Sequence, residues 1–236
     1  PGDVAFRCNL VTLKIFGNNV YMEDYSAGHI STEEAAKLIQ ALQENVATAE
    51  LTFYAGKSYR HLLVWHGGKA EQELVPPHDI LGQRITEHMP KGPGSDFLLK
   101  IMNDSQISLH NHPVNQQRVE KGENEANSIW LWGQGSSPKL NLFQQKYPQV
   151  KSGALISAVD LLRGIARIIG FEVIVVPGAT GYLDTNYEGK AAAALEQLKE
   201  KDFVYLHVES PDEASHNGDS AAKIKAIEDL DSRLLK

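Results

Sequence analysis

The pattern of apolar and polar positions divides the chain early. Residues 4–15, "VAFRCNLVTLKI", are dense in Val, Leu, Ile and Phe and predict a strand, with a charge, Arg7, set between Phe6 and Cys8. "GNN" at 17–19 predicts a turn. The period changes at 31–45, "STEEAAKLIQALQEN", where Leu38, Ile39 and Leu42 form one helical stripe. Ser31 is the natural N-cap of that helix, and Glu34, three residues on, completes a capping box. "ELTFYA" (50–55) and "RHLLVWHG" (60–67) predict the two strands of a hairpin. A long Pro- and Gly-rich loop follows, with "VPPHD" at 75–79 and "MPKGPGS" at 89–95. Loops of that length are often functional. Residues 96–110 predict a helix, and the polar stretch 111–127 reads as a crossing between domains.

From residue 128 the character changes. "SIWLWG" predicts a short apolar strand, and 152–170, "SGALISAVDLLRGIARIIG", a helix apolar almost all round and therefore buried. "FEVIVVPG" and "DFVYLHVE" are continuous apolar runs, as in parallel strands covered on both faces. "EGKAAAALEQLKEK" and the last stretch, from Gly218, predict helices. Alternating strands and helices imply a parallel sheet with right-handed crossovers. The expected fold class is α/β: an α+β domain over 1–120, then a parallel α/β domain over 121–236.

Composition narrows the function classes. With 42% hydrophobic and 22% charged residues, the 236-residue chain is an ordinary globular sequence. Its net charge of −7 argues against a nucleic acid or an anionic membrane as the main partner. No apolar run approaches the ~20 residues of a membrane span. The one cysteine, Cys8, excludes an internal disulfide and favours a reducing, cytoplasmic setting.

The densest chemistry is "HVESPDEASHNGD", His207 to Asp219, just past a strand end where open α/β sheets bind ligands. Asp212 and His216 are four apart and share a helix face, so a carboxylate and an imidazole can meet one ion. Such mixed ligation suits Zn²⁺ or Mn²⁺. The competing reading is a solvated acidic loop that caps the last helix, and two ligands alone do not make a site. Arg7 and Arg60 lie in apolar strands, where each either alternates out to solvent or forms a clamp for carboxylate or phosphate. His78 and Asp79 follow two prolines that stiffen their loop. "AGKSYR" is not a phosphate-binding loop, because Leu51 stands where the first glycine is needed. "WGQGSSP" lacks the third glycine of a dinucleotide fingerprint, with Pro138 in its place.

Taken in order, "GDVAFRCNLVT", "DYSAGHISTEEA", "SYRHLLVW", "PPHDILG", "NSIWLWGQGSSP", "ATGYLDTNYEGKA" and "YLHVESPDEASHNGD" resemble the archaeal-type cofactor-independent phosphoglycerate mutases along nearly the whole chain. That resemblance implies the alkaline phosphatase superfamily. It implies interconversion of 3-phosphoglycerate and 2-phosphoglycerate through a phosphoserine, with two divalent ions, Mn²⁺ or, in some members, Zn²⁺ or Mg²⁺. Asp212 and His216 then match the family's metal pair, Arg7 and Arg60 its phosphate or carboxylate grips, and Lys190 a support of the phosphate site. His78 and Asp79 become candidates for proton transfer at the glycerate hydroxyls. Residues 1–120 correspond to an inserted, substrate-binding lid and 121–236 to part of a phosphatase-like domain. The family's nucleophilic serine and remaining metal ligands have no match here, so an internal fragment, inactive by itself, is expected. The rival functions are a metal-dependent phosphatase or mutase for another phosphorylated small molecule, and a non-catalytic domain that binds anions or a partner chain.

Overall fold

A computed structural model describes residues 2–216 and 218–236, apart from the side chain of His216. The chain forms two compact units, residues 1–138 and 139–236.

The first unit is built on one long strand, β1 (Val4–Phe16). It is followed by β2 (Asn19–Asp24), α1 (Thr32–Asn45), β3 (Leu51–Lys57), β4 (Arg60–Trp65), α2 (Ser95–His110), α3 (Pro113–Glu120) and β5 (Ser128–Ser136). The sheet runs β2-β1-β4-β3, and β5 also pairs with β1. All of these pairings are antiparallel. The first half of β1 lies between β4 and β5, and its last five residues pair with β2.

Strand alternation sorts the side chains of β1. Phe6, Cys8 and Leu10 are fully buried and share a core with Leu63, Ile129, Leu131, Leu38, Leu42, Leu98 and Met102. Arg7 and Asn9 point to the other face. Helix α1 starts as its sequence predicts: Ser31 caps it by accepting from the Glu34 amide, and the Glu34 side chain returns the bond.

Two expectations are corrected here. Residues 111–127 are not a crossing between domains. They hold α3, whose buried Arg118 donates to the carbonyls of Asn124 (2.8 Å) and Ala27 (2.8 Å) and to the Glu34 carboxylate (2.9 Å). The strand "SIWLWG" does not open the α/β unit either. It becomes β5 and pairs with β1, so the division falls after Pro138 rather than at 120/121. An apolar run shows that a strand is buried; it does not show which sheet takes it.

The second unit holds a short α4 (Phe143–Lys146), then β6 (Gly153–Ile156), α5 (Asp160–Ile168), β7 (Glu172–Ile174), α6 (Tyr187–Gln197), β8 (Phe203–Leu206), α7 (Ser210–His216) and α8 (Ser220–Asp229). Its sheet is parallel throughout, in the order β7-β6-β8. The α/β class therefore stands, but the single buried helix over 152–170 does not. Its first residues form β6, the central strand, and α5 begins only at Asp160. In α5, Leu161, Ile165 and Ile168 are exposed and only Ala166 is buried. A short apolar run cannot be told from a helix by period alone. The core of this unit is small: Leu155, Ala166 and Phe171 are buried, with Phe143 and Phe203 packed against them.

Candidate functional site

In the first unit the β-ladder determines which side chains meet. Arg7 lies opposite Leu62 of β4 and Trp132 of β5, and Asn9 lies opposite Arg60 and Trp130. Directly opposed residues share a face. One face of the sheet therefore carries Arg7, Arg60, Asn9 and Trp132 together.

The two arginines rest on rings. The Arg7 guanidinium carbon lies 4.1 Å from the centroid of Trp132, and that of Arg60 lies 5.5 Å from Tyr59. Both distances are within cation–π range. Among the described residues, neither guanidinium has a carboxylate within ion-pair distance. Burial lowers the Arg7 pKa from its ordinary value, the nearby Arg60 charge lowers it further, and Tyr59 acts the other way. Arg7 stays cationic. Two like charges held near each other without a counter-charge make a place for an anion.

The loop brings His78 to the same face. Its ring meets Trp132 edge-on at 5.3 Å and Tyr25 at 6.2 Å, and Tyr25 meets Tyr59 at 5.9 Å. Asp79 lies 3.6 Å from His78 Nε2, and both side chains are exposed. The structure thus joins Arg7, Arg60, His78 and Asp79 through a set of aromatic rings.

The second unit has its own crevice. The chain leaves the central strand β6 first towards β7 and then towards β8, so the strand order reverses at the C-terminal end of β6. Such switch points are where open parallel sheets hold ligands. Ser157 follows β6, and its hydroxyl lies 3.3 Å from Nδ1 of His207, which follows β8. The other ring nitrogen of His207 lies 2.8 Å from the Glu209 carboxylate. Lys190, on α6, is buried, and its ammonium donates to the His207 carbonyl at 3.2 Å. Burial lowers the Lys190 pKa, and the Glu209 charge partly restores it.

Asp212 is exposed on α7 beside this crevice. Its expected partner, the side chain of His216, lies outside the described residues. Among those described, no group of three or more His, Cys, Asp or Glu is placed to hold a metal. They therefore do not complete a metal centre. Asp219, by contrast, caps α8 by accepting from the Ala222 amide.

Comparisons with known proteins show what the chain is similar to. Residues 1–115 match the family model described as 2,3-bisphosphoglycerate-independent phosphoglycerate mutase. A probable enzyme of that name from Geobacter sulfurreducens is 55% identical over 99% of this chain and 58% of its own length. The enzyme from Methanosarcina barkeri is 55% identical over 99% of the chain and 57% of its own length.

The chain is similar to these enzymes along nearly its whole length.

Among solved structures, a protein from Pyrococcus horikoshii superposes with a TM-score of 0.73 at 27% identity, over 96% of this chain and 51% of that one. The cofactor-independent phosphoglycerate mutase from Thermoplasma acidophilum superposes with 0.58 at 24% identity, over 98% of this chain and 62% of that one, which shows the fold. The antiparallel α+β unit and the parallel α/β unit thus have counterparts in solved structures. The chain spans somewhat more than half the length of the curated relatives it matches. None of its described helices is long and apolar enough to cross a membrane.

Sequence reasoning missed Trp132, Asn9, Tyr25 and Tyr59. The tryptophan was readable only as an apolar strand residue. Its contact with Arg7 depends on how β1 and β5 register, and they lie at opposite ends of the unit's sequence.

Proposed function

We propose that the protein to which these residues belong interconverts 3-phosphoglycerate and 2-phosphoglycerate in the cytoplasm, through a phosphoserine and with divalent ions. The observation that carries this reading is the pair Arg7 and Arg60, held on aromatic faces with no carboxylate partner among the described residues. A guanidinium presents several N–H groups in one plane and fits a phosphate or carboxylate with two parallel bonds. Phosphoglycerate carries both anions, so two such groups can grip one substrate. The names of the 55%-identical relatives support the same assignment.

In this reading Arg7 and Arg60 hold phosphate or the glycerate carboxylate. His78, steadied by Asp79, moves a proton to or from a glycerate hydroxyl. Lys190 braces the crevice of the second unit by holding the His207 carbonyl. Asp212 and His216 supply a carboxylate and an imidazole to one of two ions, Mn²⁺ before Zn²⁺ or Mg²⁺. The serine and the other metal ligands come from outside these residues.

The test is product analysis. With Mn²⁺ and 3-phosphoglycerate, the enzyme carrying these residues is expected to form 2-phosphoglycerate. Release of free phosphate instead would make it a phosphatase. Phosphoglycerate binding with no turnover, unchanged by Asp212→Ala, would make it a non-catalytic anion-binding protein. The 236-residue chain alone is expected to show no turnover. In calorimetry it is expected to show no divalent site tighter than about 1 μM.

A further inference from the structure

We infer that Trp132 is a positioning residue for Arg7, and that the Trp132-Gly133 step in β5 is the device that aims the guanidinium at substrate. The inference rests on Arg7 being a substrate grip, as proposed above, and adds what holds that grip in place.

Three features of the structure carry it. First, Trp132 is locked from beneath. Its indole N–H donates to Asn9 Oδ1 at 3.0 Å, and the Asn9 amide donates to the Tyr25 carbonyl at 3.1 Å. Asn9 is buried, so both of its side-chain functions are spent on holding the ring. Secondly, the locked ring serves the site on two sides. Its face lies 4.1 Å from the Arg7 guanidinium, and the His78 ring meets it edge-on at 5.3 Å. One side chain thereby sets the distance between a cation and a titratable group from a separate loop.

Thirdly, the backbone is shaped for the contact. The β1–β5 ladder slips between Ala5 and Arg7: Ala5 faces Gly135, and Arg7 faces Trp132. The extra residue on β5 makes a bulge, and Gly133 within it has φ +57°. A side chain there would place its Cβ 3.0 Å from Arg7 Cδ. Bulges re-aim side chains next to active sites. Here the bulge lets the Arg7 stem pass close over β5 while the ring beside it supports the charged end. A free arginine samples many rotamers, whereas one held on a ring has less entropy left to lose when an anion arrives.

The test uses the active enzyme that carries these residues, with 3-phosphoglycerate as ligand. KM and kcat are measured for wild type, Arg7→Met, Trp132→Leu, Trp132→Phe and the Arg7→Met/Trp132→Leu double variant. Trp132→Leu is expected to raise KM about fivefold, as loss of an exposed cation–π contact would. In the Arg7→Met background the same change is expected to have almost no effect, because there is no cation left to position. Trp132→Phe keeps a ring face and should recover most of the loss. An equal KM penalty in both backgrounds would overturn the inference, as would a wild-type KM in Trp132→Leu beside a raised one in Arg7→Met. If Arg7→Met itself leaves KM unchanged, the substrate-grip reading falls and this inference with it. Should Trp132→Leu not fold, Trp132→Phe decides by fluorescence. Most of the change in tryptophan emission on adding 3-phosphoglycerate should vanish in that variant, and its full persistence would overturn the inference.

Discussion

His61 sits on β4 opposite Cys8, on the buried side of the first sheet. Its Nδ1 accepts from the Gly56 amide at 3.0 Å, and its Nε2 is buried with no partner among the described residues. Burial pushes its pKa down to about 4, against a smaller opposing effect of the Ser58 backbone. The folded state therefore refuses a proton that the unfolded chain accepts. Stability is full above the ordinary histidine value near 6.5, falls as pH drops towards about 4, and then levels. The loss is about 3 kcal/mol at most. Denaturation midpoints measured across that window should show this slope, and His61→Leu should flatten it. Asp24 and Glu34, whose pKa values are lowered by hydrogen bonds that outweigh burial, lose their contribution only at lower pH. At the same scale, Gly133→Ala should cost about 1–2 kcal/mol for the left-handed backbone, and should raise KM by displacing the Arg7 stem. An unchanged KM with lowered stability would confine the glycine to a structural role. Arg7 was legible in the sequence as a charge inside an apolar run. Trp132 and His61 were not, because what matters about them is which strand lies alongside.

Among elements, α1 was legible in full: the Ser31–Glu34 box needs only local spacing, and both bonds form. Helix α3 was not legible, because its polar surface reads as linker until Arg118 is seen to be buried. That arginine ties α3 to the first turn of α1 through Glu34 and to the turn after β2 through the Ala27 carbonyl. It also lies 3.1 Å from Glu123. Replacing it with Met would leave Glu34 without its counter-charge and two carbonyls without their arginine donor. Arg118→Met is expected to cost about 3–5 kcal/mol, read as a shift of the urea midpoint of the first unit. A loss below about 1 kcal/mol, as for an exposed pair, would show that water replaces the arginine. The β6 segment was misread for the converse reason. Four apolar residues ahead of an amphipathic helix extend its pattern, and only the hydrogen bonds to β7 and β8 separate them.

The whole molecule carries two very unequal cores. The first unit buries large side chains from every strand and from α1 and α2, while the second buries few and leaves Leu161, Leu195, Leu198, Ile224 and Ile227 exposed. Buried apolar area sets stability, so in this chain the second unit should unfold first. All three tryptophans, Trp65, Trp130 and Trp132, belong to the first unit. Far-ultraviolet circular dichroism should therefore begin to fall at a lower urea concentration than tryptophan fluorescence changes. Coincident curves would contradict two units of different stability. That the fold class was legible while the boundary was not has one cause: apolar period reports burial, and the partner of β5 is a matter of topology.

The pairing of β1 with β5 also bears on how the protein is made. Strand β1 leaves the ribosome long before β5 and waits for that neighbour until Ser136 has been synthesised. Until then β1 offers an open edge to any other strand, and Arg7 has no ring to rest on. A nascent chain stopped at residue 127 should therefore associate or be degraded, and the anion grip should appear abruptly with the last strand of its sheet.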